Sequence, residues 1–392
     1  MVGTLAMLAA VTAGPAAARP AGGSVTQVAV GDSHACARAG DGRAYCWGAG
    51  GSGQLGNGDT PSHSSPVAVA APAAGVTFTR LATGGFHTCG LGSDAKAYCW
   101  GAGYSGRLGN GETTDRSTPV AVAAPAAGVA FTQLTAGSAH TCGLGSDAKA
   151  YCWGSGSNGA LGNGGLGDRS TPVAVTAPAA GVTFTQISAG FSNTCGLGSD
   201  AKAYCWGSGL SGELGNGETR DQSSPVAVTA PGAGVTFSRL TAGFSNTCGL
   251  AGDAKAYCWG AGGLGQLGNG ETGDRSSPVA VAAPAAGVTF TQISPGIRHT
   301  CGLGSDAKAY CWGHNSDGQL GNGDTTGRST PVAVTAPAAG VSFTQITAGR
   351  GYTCGLGSDA KAYCWGINDD HQLGHGDIKG HVSPVAVLFP KP

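Results

Sequence analysis

Short β-branched and aromatic runs alternate with glycine-rich polar segments along this chain, and no amphipathic helical pattern interrupts them. The unit around residue 200 shows the pattern. Residues 182–187 (Val-Thr-Phe-Thr-Gln-Ile) are typical of a strand, and segments 194–197 and 202–206 flank a polar turn, as in a hairpin. A fourth apolar run, 225–228, begins with proline. At the first position of a strand, the missing N–H of proline removes no hydrogen bond from the sheet. The unit is therefore predicted to contain four strands and no helix.

The unit recurs at a constant spacing. The motif Cys-x9-Cys-Trp-Gly occurs seven times, always 53 residues apart, and contains all fourteen cysteines and all seven tryptophans. The cysteines are Cys36 and Cys46, Cys89 and Cys99, Cys142 and Cys152, Cys195 and Cys205, Cys248 and Cys258, Cys301 and Cys311, and Cys354 and Cys364. A fixed period of this kind predicts a repeat architecture, either stacked or radial. Seven periods fill residues 22–392 as one domain and leave residues 1–21 as a leader.

The two cysteines of each unit lie symmetrically about the hairpin turn. Cys195 and Cys205 are placed equally on either side of Asp200, so the hairpin sets them opposite each other on one face. A disulfide there closes a loop of about ten residues and contributes about 2 to 3 kcal/mol. Free thiols packed against the neighbouring unit are the alternative. The chain lacks the Cys-x2-Cys spacing of structural zinc sites.

Composition and the N-terminus indicate an exported protein. Charged residues make up 11% of the chain and the net charge is −1, which disfavours nucleic acid and anionic membranes as partners. An apolar run at 5–11 and small residues at 16–18 predict an export signal within 1–21; a disordered Ala-rich tail is the alternative. Paired cysteines are typical of an oxidising compartment, and no other segment approaches the roughly 18 apolar residues of a membrane span. The predicted location is secreted or in the cell envelope.

One repeat resembles a known family. The segment His87-Thr-Cys-Gly-Leu, followed by Ala97-Tyr-Cys-Trp-Gly101 and then Gly106-Arg-Leu-Gly-Asn-Gly111, is similar to the repeat of the regulator of chromosome condensation family. The resemblance covers all seven repeats and implies an all-β, seven-bladed β-propeller of four-stranded blades. The cysteine pairs and the leader look more like secreted bacterial members, some of which resemble a propeller-type inhibitor of β-lactamases. Guanine-nucleotide exchange is an alternative implied by the family, and it would require a cytosolic location and reduced thiols.

The two ends of the chain match complementary parts of the unit. Residues 24–30 correspond to the first strand, and residues 384–387 correspond to the fourth. We expect the N-terminal and C-terminal strands to pair within one blade and so close the ring, which removes open sheet edges. A monomer is expected.

Candidate catalytic motifs are better explained by structure. Ser-Asp-Ala-Lys, which recurs five times, matches Ser-x-x-Lys but falls in the hairpin turn, where the lysine cannot align behind a nucleophile on a helix. Four histidines share one position with Asn193, Asn246 and Tyr352, so a common hydrogen bond between blades is predicted there. No enzyme activity and no cofactor are predicted; an enzyme with its site at the central channel is the alternative.

The last repeat carries an unusual group of histidines. His371, His375 and His381 lie close to several aspartates and are weak candidates for binding a divalent ion. A solvated loop is the alternative interpretation, and no metal site is predicted.

The repeats differ from one another mainly in two segments, one before Thr-Cys and one after Trp-Gly. Loops on a rigid scaffold often carry recognition, and exposed aromatic and arginine residues make hot spots. We therefore expect one face to bind an unidentified extracellular protein or glycan without catalysis; neutral drift after duplication is the alternative. The expected face consists of Phe86, Tyr104, Phe191, Leu210, Phe244, Leu264, Arg298, His314, Arg350 and Tyr352.

Overall fold

The computed structural model describes residues 24–389, and these form seven antiparallel sheets of four strands. The fold is therefore the seven-bladed β-propeller that the resemblance implies. The strands are β1 Val25–Val30, β2 His34–Ala39, β3 Ala44–Gly48, β4 His63–Ala68, β5 Phe78–Thr83, β6 His87–Gly92, β7 Ala97–Gly101, β8 Arg116–Ala121, β9 Phe131–Ala136, β10 His140–Gly145, β11 Ala150–Gly154, β12 Arg169–Ala174, β13 Phe184–Ala189, β14 Asn193–Gly198, β15 Ala203–Gly207, β16 Gln222–Ala227, β17 Phe237–Ala242, β18 Asn246–Ala251, β19 Ala256–Gly260, β20 Arg275–Ala280, β21 Phe290–Pro295, β22 His299–Gly304, β23 Ala309–Gly313, β24 Arg328–Ala333, β25 Phe343–Ala348, β26 Tyr352–Gly357, β27 Ala362–Gly366 and β28 His381–Ala386. Two 3-10 turns, Tyr104–Gly106 and Ser157–Gly159, are the helical segments of the described chain, and neither has the length or apolar character needed to cross a bilayer.

Within each blade, the second and third strands form the hairpin that carries the cysteine pair. Cys195 and Cys205 are register partners and form a disulfide, as do the six equivalent pairs, so no cysteine in the described chain is free. The hairpin turn is held by Asp200, which accepts hydrogen bonds from the Lys202 amide at 3.2 Å and the Tyr204 hydroxyl at 2.7 Å. The Ser-Asp-Ala-Lys motif therefore forms a turn, as predicted.

The hydrophobic core lies between the blades. In one cluster, the disulfide Cys142–Cys152 and Leu161 of the third blade pack against Phe184 and Trp206 of the fourth. The segment Leu-Gly-Asn-Gly at 161–164, which is equivalent to residues 108–111, makes this possible: Gly162 has φ +65°, and a Cβ there would lie 2.5 Å from Nε1 of Trp206. Most of the tryptophans also donate from Nε1 to a carbonyl of the preceding blade, as Trp206 does to Ala160 at 3.0 Å. This segment is thus the contact through which each blade packs against the next.

The ring is closed by the same contacts, and one detail of the closure differs from expectation. β1 pairs with β2 in the first blade and β28 with β27 in the seventh, so the two terminal strands do not share a blade. Each repeat contains a complete set of four consecutive strands, and none has to be supplied from the other end. The seventh blade instead joins the first through Gln345 Nε2, which donates to the Val28 carbonyl at 2.7 Å, and through Trp47 Nε1, which donates to the Gln372 carbonyl at 2.9 Å.

The proposed leader, residues 1–21, lies outside the described residues, so its export role stays a prediction.

Candidate binding face

The two variable segments of the repeat lie on the same face of the propeller. In each blade one segment is the turn between the first and second strands, and the other is the loop between the third and fourth strands. Because consecutive strands are antiparallel, both connections emerge at one end of the blade. We call this end of the molecule the channel-mouth face, because the turns surround the opening of the central channel.

The channel itself is narrow and lined mainly by small residues. Its lining encloses about 320 Å³ and includes a ring of one glycine from each blade. A Cβ on Gly84 would lie 2.3 Å from the Gly137 carbonyl oxygen of the next blade and 2.4 Å from Cε1 of His87. The glycine ring therefore lets neighbouring blades approach closely at the axis. Within the described chain, Asp32 is the ionisable residue of this lining, and Arg239 lines a second cavity of about 310 Å³ that is bounded by the same first strands.

Eight of the ten residues predicted for the binding face line a wider depression of about 960 Å³ at the mouth of the channel. They are Phe86, Tyr104, Phe191, Phe244, Leu264, Arg298, His314 and Arg350. Leu210 does not line the depression, but it lies in a loop of the same face and is 70% exposed. The structure thus brings nine of the predicted residues to one surface.

Tyr352 is not part of this surface, which corrects its assignment. It is fully buried, and its hydroxyl donates to the carbonyl oxygens of His34, at 2.5 Å, and Gly31, at 3.2 Å. Tyr352 occupies the position that histidine or asparagine takes in the other blades, where the side chain points towards the next blade. Its role is to join the seventh blade to the first.

The other six residues at this position make the predicted hydrogen bond between blades. His34 Nε2 lies 2.8 Å from Thr88 Oγ1, and Asn193 Nδ2 donates to Thr247 Oγ1 at 3.2 Å. Thr88 Oγ1 donates in turn to the Gln54 carbonyl, so it accepts from His34 and the His34 proton lies on Nε2. Burial lowers the pKa of His34 to about 4. The buried histidines are therefore neutral near pH 7.

One sector of the mouth is apolar. Phe191 and Phe244, from adjacent blades, have ring centroids 3.7 Å apart, and Ile297 follows in the next blade. The backbone holds these residues in place, because the Phe191 amide donates to the Gly243 carbonyl at 3.0 Å and the Ile297 amide to the Gly349 carbonyl at 3.1 Å. Each rim residue is thus fixed by the adjacent blade.

The adjacent sector of the mouth, from the sixth blade to the first, carries charged residues. Arg298 and Arg350 line the mouth together with the carboxylates of Asp32, Asp317, Asp369 and Asp370. Burial raises the pKa of Asp32, and the positive charge of Arg350 opposes this effect. The rim therefore presents both signs of charge beside an apolar surface.

Sequence reasoning missed Arg107, which positions Tyr104. The Arg107 side chain is buried, its guanidinium carbon lies 3.4 Å from the centroid of the Tyr104 ring, and Nη1 donates to the Ser138 carbonyl at 2.9 Å. Burial lowers the pKa of Arg107. The signal was present in the sequence, because the equivalent residue in four other repeats is glutamine.

The histidines of the last repeat separate into two groups. His375 and His381 come together with Asp377: the two Nε2 atoms are 2.9 Å apart, and His375 Nε2 lies 2.8 Å from Asp377 Oδ1. Burial lowers the pKa of His375. His371 is not part of this cluster; it takes a position with φ +64° that is glycine in the other six repeats.

The family and its relatives agree with this architecture. The profile of the RCC1-like domain matches residues 124–391, and two profiles of the regulator of chromosome condensation (RCC1) repeat match residues 41–91 and 94–144, and 25–54 and 78–107. The ultraviolet-B receptor UVR8 of Arabidopsis thaliana is 32% identical over 89% of this chain and 78% of the receptor. The E3 ubiquitin-protein ligase HERC2 of Homo sapiens is 29% identical over 89% of this chain, which spans only 7% of the ligase.

A solved structure shows the same fold. Prp20p from Saccharomyces cerevisiae, whose structure is described with its binding properties to Gsp1p and histones, superposes with a TM-score of 0.74 at 22% identity, covering 88% of this chain and 85% of Prp20p. With the profile matches and the UVR8 identity, these findings show that the chain belongs to the family of proteins built from regulator of chromosome condensation (RCC1) repeats.

Proposed function

We propose that this protein is an exported, non-catalytic binding module that recognises a protein partner through its channel-mouth face. The distribution of exposed apolar side chains carries the proposal. Of the eight exposed large hydrophobic side chains in the described chain, six belong to segments of this face: Phe86, Tyr104, Leu166, Leu210, Leu264 and Ile378. Exposed apolar residues clustered on one face indicate an interaction site.

The chemistry of the face fits a protein partner. Phe191 offers aromatic area on a backbone bonded to the adjacent blade, and the Tyr104 ring is stacked on the buried Arg107; both restraints lower the entropy lost on binding. Arg298 and Arg350 stand at the edge of the same depression. Aromatic residues and arginine dominate the energetics of protein interfaces, and charges of both signs set orientation.

The pattern of repeat differences favours function over drift. The linkers that join the fourth strand of one blade to the first strand of the next lie on the opposite face and include exposed residues, yet they keep nearly the same Ala-Pro-Ala-Ala-Gly-Val sequence from repeat to repeat. Neutral drift after duplication would alter these exposed linkers at least as readily as the rim. The differences instead accumulate at the channel mouth.

Binding is also favoured over the two alternatives. Seven disulfides indicate an oxidising compartment, whereas nucleotide exchange on an intracellular GTPase would take place in a reducing one. A catalytic site in the channel would need an acid and a base within hydrogen-bond reach. In the described chain, the two cavities bounded by the first strands carry one ionisable residue each, Asp32 and Arg239, and an arginine stays protonated and cannot serve as the base. The relatives UVR8 and Prp20p are a receptor and a protein described with protein partners, which fits a binding role.

A photo-crosslinking amino acid at Leu210 tests the proposal in the extracellular and envelope fractions of the producing cells. The matched control carries the same group at Ala126, an exposed linker residue on the opposite face. We expect a specific protein adduct at Leu210 and none at Ala126. The partner identified in this way is then measured against the triple variant Tyr104→Ala, Leu210→Ala, Leu264→Ala, which should bind at least about 100-fold more weakly.

Each contrary result has a distinct meaning. Adducts at Ala126 alone, or unchanged affinity of the triple variant, would show that another surface is used. Binding to a glycan array without any protein adduct would assign a glycan ligand in place of a protein. Accelerated release of labelled GDP from a GTPase by the oxidised protein would replace the proposal by nucleotide exchange.

A further inference from the structure

The seventh blade contains three potential metal ligands that converge on one point. His375 Nε2 lies 2.9 Å from His381 Nε2 and 2.8 Å from Asp377 Oδ1, and the three ligand atoms all lie within 4.8 Å of one another. The two imidazole rings meet edge-on at an interplanar angle of 81°. A neutral His375 has a single proton on Nε2 at most, so it can donate to only one of these two acceptors. A cation between the three atoms would be bound by all of them.

The other six blades show why this group is unusual. At the three equivalent positions they carry Asn, then in most blades Asp or Glu, and then most often Arg. The arginine and the carboxylate form an ion pair in three blades: Arg116 with Glu112, Arg275 with Glu271 and Arg328 with Asp324. The seventh blade keeps the carboxylate, as Asp377, but replaces both flanking residues by histidine. A carboxylate that elsewhere faces a protein cation here faces two imidazole nitrogens.

We propose that His375, Asp377 and His381 bind a divalent transition-metal ion, and that zinc is the metal that fits them best. Two imidazole nitrogens with one carboxylate oxygen are a common zinc ligand set, whereas calcium and magnesium prefer oxygen ligands alone. Three protein ligands leave a fourth tetrahedral position for water. This ligand set differs from the three histidines suggested by the sequence, because Asp377 replaces His371.

The location gives the ion a structural role. The loop that connects β27 to β28 carries His375 and Asp377 and ends at His381, the first residue of β28. It reaches the first blade, where the Gly376 amide donates to the Ser64 carbonyl at 2.9 Å and the Gln372 carbonyl accepts from Trp47. Successive blades elsewhere in the ring are joined by the chain, but the seventh and first blades are joined only by such contacts. An ion that fixes this loop therefore stabilises the junction at which the ring closes.

Zinc titration of the metal-stripped, oxidised, untagged protein is the direct test. We expect one high-affinity site per chain by calorimetry, a higher melting temperature with zinc, and the visible absorption bands of a tetrahedral nitrogen- and oxygen-ligated site with cobalt(II). The variants His375→Asn and His381→Arg restore residues that other blades carry at these positions, so both should fold. Each should lose at least about 100-fold in zinc affinity together with the cobalt bands, since removing a ligand costs no less than removing its supporting partner.

His371→Gly is the matched control, because it changes a histidine of the same loop to the glycine of the other repeats. It should bind zinc like the parent protein. Absence of binding at millimolar zinc, or equal affinity in the parent protein and in His375→Asn, would overturn the proposal. A zinc site lost in His371→Gly but retained in His381→Arg would assign a different ligand set. These outcomes concern the metal site alone, because none of the three ligands lines the depression at the channel mouth.

Discussion

Replacing His34 by asparagine should make the stability of the propeller less sensitive to acid. His34 is fully buried and bonded through Nε2 to Thr88 of the next blade. Asn193 and Asn246 make the equivalent bond in two other blades with a side chain that does not titrate. The fold therefore already uses the replacement residue, and His34→Asn should keep the bond while losing the ionisable group.

The magnitude follows from the pKa of His34, which burial lowers to about 4, whereas an imidazole in an unfolded chain has a pKa of about 6.5. Because the native pKa is the lower one, the unfolded chain binds the proton first, and the stability present above about pH 6.5 is lost as the pH falls towards 4. One pKa unit corresponds to about 1.4 kcal/mol, so the shifted pKa of His34 lowers the free energy of unfolding by up to about 3 kcal/mol in acid. About 2 kcal/mol of this loss appears by about pH 4.5. The smaller asparagine leaves a cavity that costs about 1 kcal/mol at every pH.

Guanidinium unfolding of the oxidised protein, followed by tryptophan fluorescence at about pH 7 and about pH 4.5, measures the effect. The free energy of unfolding of His34→Asn should fall about 2 kcal/mol less between the two pH values than that of the parent protein. The reciprocal variant Asn193→His should fall about 2 kcal/mol more. Equal pH dependence in all three proteins would show that His34 is protonated without cost, and hence that burial does not hold it in the neutral form.

Three further predictions concern stability and are checked by the same unfolding assay at neutral pH. Ala201 has φ +63°, and the first blade has Gly42 at the equivalent position, so Ala201→Gly should raise the free energy of unfolding by about 0.5 kcal/mol. A lower free energy of unfolding in this variant would show that the alanine is not strained in the turn. Replacing both Cys195 and Cys205 by alanine should cost about 2 to 3 kcal/mol, and no change would mean that the bond adds nothing to the hairpin. The ring of Phe389 packs against Trp47 with centroids 6.1 Å apart, so Phe389→Ala should lower the free energy of unfolding by about 2 kcal/mol. The adjacent Leu388 is exposed, and Leu388→Ala should lower it by less than about 0.5 kcal/mol. Equal losses in the two variants would show that packing against Trp47 does not explain the effect.

Much of the scaffold could be predicted because each contact repeats. The hairpin register follows from the symmetric cysteines, and the hydrogen bond between blades follows from histidine and asparagine sharing one position. The assignment of the terminal strands could not be predicted in this way. A blade built from four consecutive strands and a blade shared between the two ends of the chain contain the same pairings of neighbouring strands. Which of the two forms depends on how far apart the chain ends lie in the folded protein, and the repeat pattern does not give that distance.

The channel-mouth face was predictable as a surface but not residue by residue. Variable positions at both connections of one end of the blade were sufficient to identify nine residues that reach it. Tyr352 was misplaced because its exposure depends on the adjacent blade, which packs directly against its ring position. Arg107 departs from the glutamine of four other repeats, but its stacking on Tyr104 is visible only in the folded structure. Asp32 was missed because the charge of Arg350 that acts on it comes from the seventh blade, which only the fold brings near the first.

The departures from the repeat at the junction of the seventh and first blades share one cause. The other six blade pairs are joined by the chain as well as by packing and hydrogen bonds, but here packing and hydrogen bonds act without a chain connection. Val25 stands at the β1 position that is phenylalanine in the other six blades, and Phe389, from the far end of the chain, places its ring against Trp47 instead. Tyr352 reaches two carbonyls of the first blade, and the cluster of His375, Asp377 and His381 lies in the loop that contacts Ser64. A repeat copied without change would leave this junction the weakest of the seven, so the unusual residues of the last repeat are best understood as additional contacts that close the ring.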